Sequence, residues 1–158
     1  MRFVLSCIWL AVFSSCAAAA PPSPNDLSKN IQAVGAKAVV DDLVKNNQWD
    51  KITTFMAQGQ SNWISLAPSL AQGSDAGTSE DLGMALAFGL PKSPRAVLAA
   101  IDPQNGPVLG VDRVCGVPFI EGTISDVNGY IKQAIAAVSA VNDPSLAGVK
   151  AACLKDLN

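Results

Sequence analysis

From Pro24 onward, prolines and glycines cut the chain into short lengths, and the apolar residues between them recur at helical spacing. Leu27, Ile31, Val34 and Ala38 form one stripe that Val40, Leu43 and Val44 continue, which predicts helix over 27–44. Trp49, Ile52, Phe55 and Met56 mark a second helix that Gly59 can stop. Ser61 is placed to cap a third, with Trp63, Leu66, Ala67 and Leu70 facing one way and Gly73 at its end. Pro68 inside that pattern costs a hydrogen bond or forces a kink. Thr78 and Ser79 offer hydroxyl caps ahead of Glu80 and Asp81, and the run that follows is apolar nearly all round, the pattern of a buried helix. Pro91 ends that run, and Ser93-Pro94 opens the next helix, with Val97, Leu98 and Ile101 on its apolar side.

Residues 102–124 break the rhythm. Prolines and glycines crowd this stretch, which reads as irregular or partly turned. Two helices then close the chain. Ser125 is the expected cap of the first, with Tyr130, Ile131, Ala134, Ile135 and Val138 on one side. Asp143-Pro144 opens the last, which aligns Leu146, Val149, Cys153 and Leu157. The expected fold class is all-α: about seven short helices in antiparallel hairpins, a helical bundle with solenoid-like character, closed by one disulfide. Aromatic residues make up only 6%, which suits a helical globule better than a β-sandwich.

The first twenty residues read as an export signal. Arg2 supplies the charge, Phe3 to Phe13 the apolar run, and a tract of small residues the cleavage region. The apolar run falls well short of the ~20 residues that span a bilayer. Cleavage near Ala18 or Ala19 divides the chain into a signal at 1–19, an Ala/Pro-rich spacer at 20–25 and a single helical domain at 26–158. The alternative is a lipobox, Phe13-Ser14-Ser15-Cys16, with acylated Cys16 holding the protein at a membrane as an envelope lipoprotein. The expected location is the periplasm in either case.

Cys115 and Cys153 are the cysteines that remain once a leader containing Cys16 is removed. In an exported protein a disulfide between them is the simplest reading, and Cys153 falls on the apolar side of the last helix, where it points inward. The rival reading, a thiol nucleophile, requires a base to generate thiolate. The chain contains no histidine, so it has no Ser-His-Asp triad and no HExxH zinc site. Phosphate-binding glycine loops are missing as well, and neither a metal nor an organic cofactor is expected. The formal net charge is −2, and loss of Arg2 with the leader makes it one unit more negative, which argues against nucleic acid as a partner.

The remaining candidates are carboxylates and indoles. Glu121 is the lone charge in CGVPFIEG, and Arg113 nearby is its natural partner, either in a buried ion pair or at a partner-binding surface. A hydrolase built on Glu121 or Glu80 is the least favoured reading. Asp75, Glu80 and Asp81 cluster in SDAGTSED without the alternation of a calcium loop, so helix capping accounts for them better. Trp49 and Trp63 lie in phase with the apolar faces of their helices, which favours core packing over carbohydrate stacking.

The runs WDKITTFMAQGQSNWISLAPSLAQGSDAGTSEDL, ALAFGLPKSPRAVL, RVCGVPFIE and DPSLAGVKAACL resemble a group of small exported proteins of Gram-negative bacteria that carry no assigned activity. That resemblance implies an exported helical fold. Size, export signal, mild acidity and the late cysteine pair give a looser architectural likeness to periplasmic immunity proteins that block secreted cell-wall amidases. Together with the missing catalytic groups, this leads to the expectation of a non-enzymatic protein that binds another protein, as an inhibitor or immunity protein does.

Overall fold

The computed structural model describes residues 22–104, 106–119 and 123–158. Of these, 68% are helical and none lies in a strand. No helix among them is long and apolar enough to cross a membrane.

The chain opens with α1 (Pro24–Val34) and α2 (Ala36–Lys45). Ser23 caps α1 by accepting from the Asp26 amide, with Pro24 in the first turn, so residues assigned to the spacer by sequence already belong to the helix. The expected continuous helix over 27–44 is two helices. Gly35 separates them at φ 86°, a backbone conformation that L side chains avoid. The break resets the phase of the stripe: Leu27, Val39, Val40 and Leu43 are buried, whereas Val34 and Ala38 face solvent.

Helix α3 (Trp49–Ala57) buries Trp49, Ile52 and Met56 and is followed by Gly59 at φ 82°. The third expected helix is also broken. It forms α4 (Ser61–Ile64) and α5 (Ala67–Ala71), with Pro68 in the first turn of α5, where its missing N–H costs nothing. Ser61 is the first residue of α4 and makes no cap; Gln60 stands at the cap position. These breaks, and a short helix inside the segment read as irregular, make the helical segments shorter and more numerous than the seven expected.

At the centre lies α6 (Ala76–Gly89). Its cap is Asp75, not Thr78 or Ser79. Asp75 Oδ1 accepts from the Thr78 amide at 3.0 Å, and the Thr78 hydroxyl accepts from the Asp75 amide at 2.9 Å. This reciprocal box places the helix start three residues before the hydroxyl pair. Leu82, Ala85, Leu86 and Ala87 are buried, as an all-round apolar helix should be. After α7 (Pro94–Ala100), α8 (Val111–Cys115) forms a single turn within the 102–124 stretch. Asp126, one residue later than expected, caps α9 (Val127–Ser139) by accepting from the Gly129 amide at 2.7 Å. A 3₁₀ turn at Pro144–Leu146 leads into α10 (Ala147–Asp156).

Packing is not confined to sequence neighbours. Helix α3 lies along α6, α8 contacts both α6 and α10, and α7 meets α4 and α9. A solenoid, in which each unit touches only the next, would lack such pairings. Arg95 on α7 also reaches Asp143 Oδ2 at 2.8 Å, an exposed ion pair that water screens and that contributes little to stability. At the junction of α5 and α6, Gly73 sits against the backbone of α2. A Cβ there would fall 2.3 Å from the Ala36 carbonyl carbon and 2.4 Å from the Lys37 nitrogen. Gly73→Ala is therefore expected to lose roughly 1–3 kcal/mol in urea unfolding, the usual cost of overpacking. Gly148, with open space around its Cβ position, is the control. Gly148→Ala should be neutral or gain roughly 0.5–1 kcal/mol.

Candidate functional site

The segment 102–119 carries most of the features that could form a site. Its first half is a closed turn. Asp102 Oδ1 accepts from the Gln104 amide and Oδ2 from the Gly106 amide, each at 2.9 Å, while the Asp102 amide donates to the Leu109 carbonyl at 2.7 Å. The carboxylate thus folds the chain around itself, an Asx-type turn. Pro107 and Val108 form the outer ridge of this turn and line a groove on each side of it.

The second half is bolted at two points. Cys115 and Cys153 form a disulfide, both fully buried, with their Cα atoms 5.2 Å apart. This joins α8 to α10 and excludes a free nucleophilic thiol at Cys115. Closure of a loop of this length, 38 residues in sequence separation, stabilises the fold by roughly 4 kcal/mol in the chain-entropy picture. Four residues after Cys115, the Phe119 ring stands between Phe88 of α6, with centroids 4.6 Å apart, and the edge of Tyr130 of α9, at 4.8 Å. The Tyr130 hydroxyl donates to the Ala87 carbonyl at 2.9 Å. Between the two bolts Val117 takes φ 54°, a left-handed conformation that costs a β-branched residue on the order of 1–3 kcal/mol. The fixed neighbours on either side hold it there.

One groove runs between α5, α7 and the ridge, with a volume of about 470 Å³. Pro68, Ala71, Ala100, Pro103 and Val108 make its lining largely apolar. The other lies between α6 and α8 and measures about 510 Å³. Ser79, Glu80 and Met84 of α6 face Arg113 and Pro118 across it. Both volumes fall within the range of ligand clefts.

The residues singled out from sequence fall into place unevenly. Arg113 is exposed on α8. Glu121 and Cys16 lie outside the described residues. Glu80 shares the groove with Arg113, a pairing that their separation in the chain concealed. Asp75 is a cap, and hydrogen bonds from the Thr78 amide and then its hydroxyl hold the carboxyl below the usual aspartate range. Asp81 serves the core instead, its Oδ2 accepting from the buried Trp49 indole at 2.9 Å. Trp49 and Trp63 are 4% and 5% exposed, which leaves neither face open for a sugar; Trp63 stacks on Phe55 at 5.2 Å. No group of three or more potential ligands converges to hold a metal among the described residues. Sequence reasoning missed the Phe88–Phe119–Tyr130 cluster and the indole–Asp81 bond. The second left a usable signal, since a buried indole N–H requires an acceptor.

Comparison with protein-family models, with curated proteins and with solved structures finds no match to this chain.

Two outcomes check this geometry. Thiol labelling of the folded, unreduced protein should leave Cys115 and Cys153 unmodified, and both should label after reduction in denaturant; a reactive Cys115 beforehand would contradict the staple. Burial also raises the Tyr130 pKa above its ordinary value near 10. Because the folded state holds the proton more tightly, this contribution to stability is complete below the unfolded pKa and fades as pH rises beyond it. Tyr130 is the sole tyrosine, so tyrosinate absorbance reports it alone. That signal should stay low in the native protein where free tyrosine titrates and appear on unfolding. Tyr130→Phe should remove the matching alkaline loss of stability.

Proposed function

We propose that this chain is an exported protein that acts without catalysis, by binding another protein in the periplasm, as an inhibitor or immunity protein does. The observation that supports the reading most is the treatment of residues 102–119. An irregular segment is fixed by an Asx turn, a buried disulfide and an aromatic sandwich, and it presents a groove on each flank. Fixing a segment before binding lowers the entropy cost of association, the usual logic of a rigid inhibitor. The disulfide itself implies an oxidising environment for folding. The absence of histidine from the chain removes the commonest general base.

In-cell crosslinking of the full chain in the bacterial envelope, with the crosslinked peptides mapped by mass spectrometry, tests the reading. A discrete partner joined through 102–119 is expected. Its yield should fall with Pro107→Glu, which places a charge on the exposed residue of the ridge, outside the core. Recovery of the chain alone, or crosslinks scattered evenly over its surface, would count against protein binding.

A further inference from the structure

Glu80 and Arg113 reach the same groove from elements far apart in sequence, and the seam between α6 and α8 explains how. Gly83, one turn after Glu80 on α6, faces Arg113. A Cβ built on Gly83 would lie 3.4 Å from the Arg113 carbonyl oxygen and 4.0 Å from its Cβ. The two helices are thus in ordinary van der Waals contact here, and residues 80 and 113 line the same seam. Both are exposed, and both line the groove. They do not satisfy each other: the ion pairs found among the described residues are Lys37–Asp41 and Arg95–Asp143. A carboxylate and a guanidinium therefore face a common space that neither neutralises.

The floor between them is apolar and partly adaptable. Met84 contributes a flexible thioether, and Pro107, Val108 and Pro118 contribute rigid or branched carbon. The walls are fixed in advance, because the Arg113–Pro118 wall is held by the disulfide at Cys115 and by the packed ring of Phe119. Its opposite wall is the central helix. A site with an anion and a cation over an apolar floor is complementary to a chain that carries both charges with small apolar groups between them.

We propose that this groove binds an extended peptide segment bearing one basic and one acidic side chain, the base set against Glu80 and the acid against Arg113. The segment belongs to the partner protein, so the inference rests on the protein-binding reading above. In an extended chain, side chains at i and i+2 point the same way, so a base and an acid two residues apart can address both walls at once. Guanidinium–carboxylate contact supplies the stronger, geometrically specific half of the recognition. Exposed charge contacts screened by water are weak singly, so an isolated segment should bind with a dissociation constant on the order of 1 mM, with the rest of the partner adding affinity.

The test uses the oxidised, isotope-labelled full-length protein as processed by the cell and end-blocked tripeptides, followed by amide NMR. The probes are Lys-Ala-Asp and its reverse, Asp-Ala-Lys, with Lys-Ala-Lys and Asp-Ala-Asp as same-charge controls. At least one mixed-charge peptide should give saturable shifts at Gly83, Met84, Arg113 and Val114, and the controls should not. Glu80→Gln and Arg113→Gln should each weaken that binding roughly two- to fivefold while leaving the remaining amide spectrum unchanged. Equal response to all four peptides would overturn the proposal, as would shifts confined to the Pro68–Ala100 groove or the absence of any shift. The two readings fail separately. If crosslinks to 102–119 persist while every peptide is inert, the groove assignment is wrong and protein binding stands. If the mixed-charge peptide binds but no partner is found in the cell, the reverse holds.

Discussion

Burial of α6 from Leu82 onward is the constraint from which the rest of the structure follows. Leu82, Leu86 and Leu90 are fully buried, with the small residues Ala85, Ala87 and Gly89 among those between them. A Cβ on Gly89 would lie 2.6 Å from the Met56 carbonyl oxygen, so α3 approaches α6 to backbone distance there. A helix that is apolar all round cannot lie on a surface, and the other helices are arranged to enclose it. The enclosure is economical in polar groups. Among the described residues Thr78 is the one polar side chain in the buried set, and it is consumed by the capping box that starts α6. No buried side-chain nitrogen or oxygen lacks a hydrogen-bond partner among the described residues.

That central helix also sets the position of the candidate site. Between its first and third turns it places Ser79, Glu80, Gly83 and Met84 along one groove wall, and its last turn supplies Phe88 to the ring cluster that holds Phe119. The segment 102–119 is therefore fixed to α6 by aromatic packing and to α10 by a covalent bond. With little regular structure of its own, it is held in place because both of its neighbours grip it.

Much of the helical order was legible in the sequence because local rules govern it. Gly59, Pro68 and Ser93-Pro94 act where their backbone chemistry requires, and the cysteine pair follows from compartment and helix face. The errors arise where two local signals compete. Gly35 lies inside an apolar stripe that continues across it, and the stripe was the louder signal; its positive φ is a tertiary choice that lets α2 turn toward α5. Thr78 and Asp75 are both good caps, and only the reciprocal bonding between them decides which one starts the helix. Helix α8 was hidden by flanking glycines and prolines, although Val111, Val114 and Cys115 carry a helical spacing when viewed alone. The site was the least legible part. Arg113 and Glu80 were each visible as charged residues, but the groove that unites them depends on the contact of α6 with α8, and no local pattern encodes a contact between distant segments.

The Cys115–Cys153 bond has a further consequence wherever a protease meets the folded chain. Cleavage of the chain anywhere between those two residues leaves the pieces joined, since the bond bridges the cut. A nicked molecule would still hold α6, α8 and α10 in one covalent unit, with both groove walls present. Such damage would show as a change in gel mobility only after reduction. Loss of the groove would require either a second event, reduction of a fully buried sulfur pair, or cleavage upstream within the packed helices. The staple therefore adds tolerance of chain breaks to its effect on folding stability.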